Sequence, residues 1–511
     1  MKRRKLATLV PIGVAVALIA GCAGSKEPAP AAASDNGNKG ANEESAAPKN
    51  PTKISIIAKL HVAEVPSDKL EKLIEEKTNT ELDIQWVPNT IYEDKINAAF
   101  ATGALPMSFS GDINKFREAI IDGQFWEIGP YLEEFENLRN LNPSVLRNME
   151  VDGKLYSLYS ERPLSRQGLI FRKDWADQLG LSAPKNLDEL YEMLKQFKNN
   201  DPDQNGKNDT IGLTDRSDMV YGAFKTVASW HGTPNYWGEK DGKLLPEFMF
   251  PEYMETMKFF HKLHQEGLIN QDFPVTSKED QRALLVSGAA GAYIGSMPDA
   301  WGLQTELTKV NPKGVLDVHN RIEGPKGLGV WLAVQGGGEV LLFPKSAVKT
   351  EEQLKEVLSF YNQLMSPEVA NLALWGVEGE HYTVVDGLAK PAEDTAMLDR
   401  EVKPYSVIAI GGEMSIPDRL RAKWEDPIKQ KAENLVLDNN EFLIDNPAAP
   451  LESKTFVEMG ERLQQAINDA TYKFILGDID EAGFQKVVDK WLADGGQKII
   501  DEYTADYEAS K

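Results

Sequence analysis

The chain has one cysteine, Cys22, in 511 residues. Disulfides, cysteine zinc sites and a thiol nucleophile in the folded body are therefore excluded. Positive charge is also scarce: 56 Lys and Arg stand against 79 Asp and Glu, a formal net charge of −23. A chain this acidic is a poor partner for nucleic acid or for an anionic membrane surface. No apolar run reaches the ~20 residues that a membrane-spanning helix needs. The longest, Leu6 to Ala20, is broken by Pro11. No period of 20 to 50 residues recurs, which argues against a solenoid. A Gly-x-Ser-x-Gly elbow is missing. "GPKGLG" at 324–329 lacks the strand-then-helix setting of a dinucleotide fingerprint, and "GEKDGKL" lacks the Walker spacing, so both read as turns.

What is present begins with an address. Lys2, Arg3, Arg4 and Lys5 precede the short apolar stretch, as in a secretory signal. Ile19-Ala20-Gly21-Cys22 then resembles a bacterial lipobox, which implies lipidation of Cys22 as the first mature residue. Losing the four basic residues of residues 1–21 takes the charge from −23 to −27. Residues 22–52 hold no aromatic and no aliphatic side chain larger than alanine, so they cannot offset the entropy of ordering. They read as a disordered tether, anchored to the membrane through lipid alone. The remaining body of about 460 residues exceeds what one core usually supports, so two lobes are expected.

The body opens in β-α-β-α-β order. "KISIIAKL" and "ELDIQWV" read as strands. "PSDKLEKLIEEK" places Leu70, Leu73 and Ile74 on one helical face, and "YEDKINAAFATG" does the same for Tyr92, Ile96, Ala99 and Phe100, with Gly103 as C-terminal cap. "LPMSFS" follows as a third strand. This order calls for a parallel sheet with ligands beyond its strand ends, where Ser108 to Asp112 are expected. "NLDELYEMLKQF" is a helix capped by Asn186, with Leu187, Leu190, Leu194 and Phe197 inward. "PEYMETMKFFHKLHQEGLI" is another helix, residues 327–344 return to strands, and the last fifty residues read as two or three helices. A chain that leaves a sheet, builds a second unit and comes back crosses between lobes more than once.

"GLIFRKDWADQLGL", "PKNLDELYEMLKQFKNNDPDQNGKNDTIGLT", "EGLINQDF", "GVEGEHYTVVDG" and the C-terminal "ATYKFILGDID…FQKVVDKWLADGG" occur in an order that resembles bacterial extracellular solute-binding proteins. The likeness runs from about Lys53 to the end, and is to the large lipid-anchored subgroup serving carbohydrate importers of the ABC type. It implies an α/β, two-lobed periplasmic-binding-protein-like fold with the ligand cleft between lobes. The division expected is 53–165 with 341–395 for one lobe and 166–340 with 396–511 for the other. It further implies a monomer that hands its ligand to membrane permease subunits without chemistry. Where the family often has an aspartate after the first Leu-Pro, this chain has Met107. A surface enzyme acting on glycans remains an alternative, because 79 acidic residues leave a carboxylate pair open. A sensor or adhesin on the same fold is another.

Sugars offer flat C–H faces ringed by hydroxyls, and call for aromatic platforms beside polar groups. The tryptophans in glycine-rich, loop-like context are the candidates: Trp230 and Trp237 in "SWHGTPNYWGEKDG", Ser296 and Trp301 in "GAYIGSMPDAW", and Trp375, Glu380, His381 and Tyr382 in "ALWGVEGEHYT". Arg166 joins them, where the chain passes between lobes. Trp175 and Trp491 sit in helical patterns and read as structural. His261 and His264, three apart on a helix, could hold a metal but have no acidic partner fixed nearby.

"DPDQNGKNDT" carries the front of a calcium loop: Asp201, Asp203, Asn205, the turn glycine Gly206, the Lys207 carbonyl and Asp209 stand at positions 1, 3, 5, 6, 7 and 9. Position 12, a bidentate glutamate in an EF-hand, is Gly212. The resembling proteins carry an acidic residue at position 10, and here it is Thr210. The expectation is structural calcium clipping the second lobe's surface away from the cleft. An Asx-rich turn with no ion is the alternative.

Overall fold

The computed structural model describes residues 50–62, 64–333 and 339–509. Cys22, the signal and nearly all of the tether lie outside the described residues. The β-α-β-α-β opening is observed: strands Thr52–Leu60 and Thr80–Pro88, helices Lys69–Thr78 and Tyr92–Thr102, then strand Ser108–Asp112. The three strands pair in parallel, with Ile56 beside both Ile84 and Ser108. Leu70, Ile74, Tyr92, Ile96 and Ala99 are buried on the inner helix faces. Gly103 closes its helix at φ 68°, a left-handed conformation that favours glycine. Ser108 to Asp112, expected at a strand's C-terminal end, form the strand itself, so the strand expected over 105–110 is shifted toward the C-terminus. Ser55 Oγ takes the Met107 N–H at 3.0 Å, and 108–112 then pairs with neighbours on both sides.

Glu339–Leu342 and Ser157–Tyr159 complete this sheet, in the order 80–88, 52–60, 108–112, 339–342, 157–159. The 339–342 strand is antiparallel to both its neighbours. The second sheet runs Leu316–His319, Gln167–Arg172, Ala290–Ser296, Ile211–Thr214. Its alternating side chains feed two cores, as period-two strands must. Leu169, Phe171, Ala292 and Ile294 face the larger core, and Ile170, Tyr293, Leu316 and Val318 the smaller. The C-terminal helices Lys454–Leu476, Glu481–Trp491 and Gln497–Ala509 pack on the larger core, with Trp491 and Trp175 buried in it. Around the first sheet, residues from Ile54 to Leu164 share a core with 340–373 and with Val402, Tyr405, Ile408 and Ile416.

Two segments crossing between the sheets meet directly, Ala333 N–H donating to Leu164 O at 2.8 Å. Strand 157–159 ends and strand 167–172 begins at one crossing. The C-terminal ends of 52–60, 108–112, 211–214 and 290–296 therefore all turn toward the crossings, because those strands run parallel to 157–159 or antiparallel to 167–172 and its neighbour's partner.

Asp215 sits at such an end and is 2% exposed. Its Oδ1 accepts from Ala223 N–H at 2.9 Å, at the start of the helix Ala223–His231. Asn270 Oδ1 accepts from Asp215 N–H at 2.8 Å. Burial pushes the Asp215 carboxyl from its ordinary 3.8 up to about 7. A group whose folded pKa is raised stabilises most below its unfolded value, and that contribution is lost as pH climbs through the folded value. Asp215→Asn keeps an acceptor for Ala223 but cannot ionise. Wild-type stability in urea is expected to fall relative to Asp215→Asn as pH rises from about 4 to about 7. Parallel pH profiles for the two would contradict the burial account.

Candidate functional site

Elements of both sheets' lobes frame a cleft of about 700 Å³, within the ~300–1,000 Å³ range of ligand pockets. Three tryptophans wall it: Trp301, Trp375 and Trp424. Trp301 stands in the first turn of the helix Asp299–Val310, directly after strand 290–296, and is 46% exposed. Trp375 ends the helix Pro367–Trp375, and its indole N–H donates to Leu420 O at 3.0 Å. Trp424 precedes the helix Pro427–Asp438, whose capping Asp426 accepts from the N–H groups of Ile428 at 3.0 Å and Lys429 at 3.1 Å. Gln430 Oε1 accepts from Trp424 N–H at 3.0 Å, so the tryptophan is tied to the helix it introduces. Lys429 Nζ lies 4.4 Å from the Trp301 ring centroid and 3.4 Å from that of Trp424. Burial lowers its ammonium pKa. Around this wall stand Glu393, Asp399, Glu425, Lys390, Lys403 and Lys423.

Of the residues singled out in the sequence, Trp301, Trp375 and His381 line this cleft. His381 is fully buried: its Nδ1 accepts from Val377 N–H at 3.0 Å, and Nε2 faces Glu401 at 3.4 Å. Hydrogen bonding to Arg400 and His381 holds the Glu401 carboxyl below the usual carboxylate range. Glu380 is ion-paired with Lys69, and Tyr382 is 7% exposed. Ligand atoms of Glu380, His381 and Glu401 lie within 4.8 Å of one another, but the two carboxylates are engaged by Lys69 and Arg400. Ser296 is at the cleft-facing end of its strand, opposite Gln167. Arg166 is exposed in the adjoining crossing, its carbonyl accepting from Met297 N–H at 2.8 Å.

Trp230 and Trp237 are elsewhere. Trp230 is 1% exposed in the larger core, and Trp237 packs edge-on against Tyr503 at 4.8 Å. His261 and His264 are drawn apart, His261 Nδ1 to Ile475 O at 2.9 Å and the His264 ring to Phe273. Trp424 and Lys429 were not legible as site residues. The one signal was a tryptophan immediately before the Glu-Asp-Pro helix start.

The 201–210 loop joins helix Leu187–Asn199 to strand 211–214, at the strand end opposite Asp215. Its acidic side chains converge. Asp201 accepts from the N–H groups of Asn205 and Gly206, both at 3.0 Å, and the Asn205 amide bridges Asp203 at 2.7 Å and Asp209 at 3.1 Å. Lys207 N–H returns to Asn205 Oδ1 at 2.8 Å. Burial and the neighbouring Asp201 raise the Asp203 pKa. Thr210 is buried instead of reaching the loop centre, its hydroxyl donating to Phe197 O at 2.7 Å. A Cβ at Gly212 would meet Leu194 O at 2.5 Å, so no glutamate fits there.

A family profile for bacterial extracellular solute-binding proteins matches residues 63–371. The chain belongs to that family. The polygalacturonan/rhamnogalacturonan-binding protein YtcQ of Bacillus subtilis is 42% identical over 488 residues, covering 93% of this chain and 96% of YtcQ. Lipoprotein LipO of the same organism is 33% identical over the full length of both chains. Among solved structures, an "HMO binding" ABC-transporter-associated solute-binding protein of Bifidobacterium longum infantis aligns with TM-score 0.64 at 18% identity, over 90% of this chain and 99% of that one. An EF-hand mutant of Streptococcus pneumoniae FusA, an ABC-transporter substrate-binding protein in complex with fructo-nystose, aligns at TM-score 0.54 and 18% identity, over 90% and 100%. At such identity these two structures establish the two-lobed α/β fold of this solute-binding protein.

Proposed function

We propose that this solute-binding protein is the lipid-anchored receptor of an ABC importer, and that it takes an oligosaccharide into the cleft walled by Trp301, Trp375 and Trp424. The observation that carries the reading is the wall itself. Three indoles from three separate segments surround one cleft with charged groups at its rim, which suits sugar rings that stack by their C–H faces and bond by their hydroxyls. The relative named for polygalacturonan and rhamnogalacturonan agrees with it. Cys22 would carry the lipid, in keeping with the relative named as a lipoprotein.

Binding suits the cleft better than hydrolysis does. A glycosidase needs one carboxyl kept protonated by a raised pKa. In this cleft Glu425 pairs with Lys390 at 2.6 Å, which lowers its carboxyl pKa and keeps it charged, and Asp399 pairs with Lys403. Fluorescence titration with a sugar panel is expected to give saturable tryptophan quenching with no released product. Trp301→Ala and Trp424→Ala are each expected to weaken binding about tenfold, the scale of one lost aromatic contact. Product formation, or unchanged affinity in both variants, would overturn the assignment.

The 201–209 loop is the second part of the reading. Calcium would be held by Asp201, Asp203, Asn205 and Asp209 side chains with the Lys207 carbonyl, and would relieve the repulsion among three close carboxylates. Placed at the sheet end away from the cleft, it would clip helix 187–199 to strand 211–214 without gating the ligand. At a hundredfold excess over Kd, calcium adds about 2.7 kcal/mol to stability. Thermal unfolding after chelation should therefore show a lower Tm restored by calcium, and no restoration in Asp203→Asn/Asp209→Asn. A Tm indifferent to calcium would contradict the clip.

A further inference from the structure

Four lysines line the tryptophan-walled cleft, and three of them are matched by carboxylates. Lys390 pairs with Glu425 at 2.6 Å, Lys423 with Asp386 at 2.9 Å, and Lys403 with Asp399. Lys429 is different. Among the described residues no carboxylate lies within ion-pair distance of its ammonium. Asp426, the nearest acid in sequence, spends one oxygen on capping the helix, accepting from the N–H groups of Ile428 and Lys429. Asp426 and Glu433 act on the ammonium only at longer range, and burial outweighs them. The ammonium instead rests between the faces of Trp301 and Trp424. Indole faces attract a cation, but they replace only part of the hydration it gives up.

A second observation falls on the same wall. The Trp424 indole N–H is buried and has no acceptor among the described residues. Trp424 also lines an adjoining pocket of about 240 Å³ that holds Arg162, Arg419 and Arg421 beside Glu161, Glu413 and Glu433. There Arg419 Nε is likewise buried without an acceptor. Buried donors are ordinarily satisfied, so an unmet donor on the cleft wall marks what a ligand would supply. At the Trp424 indole what is wanting is an acceptor oxygen, and at Lys429 it is negative charge.

We propose that Lys429 reads a carboxylate on the ligand, and that the sugar taken into this cleft is therefore acidic, of the uronic-acid class. This rests on the carbohydrate reading above and adds the residue that sets specificity within it. A sugar ring stacked on Trp301 or Trp424 brings its ring substituents to the ammonium between them. A carboxylate there completes an ion pair in a partly desolvated site, where such pairs are stronger than at an open surface. The chain's net charge of −23 makes the local cation necessary, because acidic ligands are otherwise repelled.

Isothermal titration calorimetry with trigalacturonic acid and with its fully methyl-esterified form tests this, since the ester keeps the rings and hydroxyls and removes the charge. Wild-type protein is expected to prefer the acid by about tenfold, the usual scale of one charge-assisted contact. Lys429→Met, which keeps an apolar stem against the indoles, should bring that ratio below about twofold, and Lys429→Arg should retain it. An equal affinity of wild-type protein for acid and ester, or an undiminished ratio in Lys429→Met, overturns the role of Lys429 and leaves the carbohydrate reading standing. Binding of neutral oligosaccharides only does the same. Failure of wild-type protein to bind any sugar overturns the carbohydrate reading and this assignment with it.

Discussion

Asn439 is fully buried where the chain passes between the two sheets, and its amide nitrogen donates to Ser165 O at 3.1 Å and Gln167 O at 2.9 Å. Its carbonyl oxygen accepts from the Asn320 amide at 3.0 Å. A buried amide with several partners fixes one geometry, because any shift leaves donors or acceptors unmet at substantial cost. Here that geometry joins the crossing segment, the edge strand 316–319 and the end of helix 427–438. That helix carries Lys429 and is introduced by Trp424. Through strand 167–172 the same bond holds the neighbouring strand 290–296, and with it Trp301 in the following helix. Trp301 and Trp424 are thus brought to one wall from separate stretches by polar contacts at one crossing.

Segments governed by local periodicity were legible in the sequence. The first fifty residues of the body showed alternating strands and 3.6-residue stripes strongly enough that strand, helix and the Gly103 cap all appear where expected. The capping pattern at Asn186 was equally plain, and its side chain does accept from Glu189 N–H at 2.9 Å. Ser108–Asp112 was harder, because its strand is polar at Ser108, Ser110 and Asp112 and is made by neighbours on both sides, one of them 339–342 far along the chain. Nothing local announces such a partner.

The cleft was legible only where chemistry and context coincided. Trp301 and Trp375 stood out as tryptophans near glycine and away from helix interiors. Trp230 had a similar context, yet it sits inside the buried helix 223–231, where tertiary packing decides. Glu380 looked like a ligand group because a histidine and a tyrosine follow it, and its partner Lys69 is 311 residues away. Lys429 had no signal at all. A lysine in a helix reads as a solvated face, and only the fold brings two indoles to it from segments 128 and 5 positions away. The calcium-type loop is the reverse case: ligand order and turn glycine are local, so the pattern survives even though Thr210 and Gly212 have been given over to packing.

The central claim is that the ligand of this solute-binding protein lies between the lobes against Trp301, Trp375 and Trp424. A crystal structure of the mature protein with a bound oligosaccharide tests it most directly. The account predicts sugar rings stacked on at least two of the three indoles, with both lobes in contact. A sugar bound with full occupancy elsewhere on the chain, touching none of the three, would contradict it.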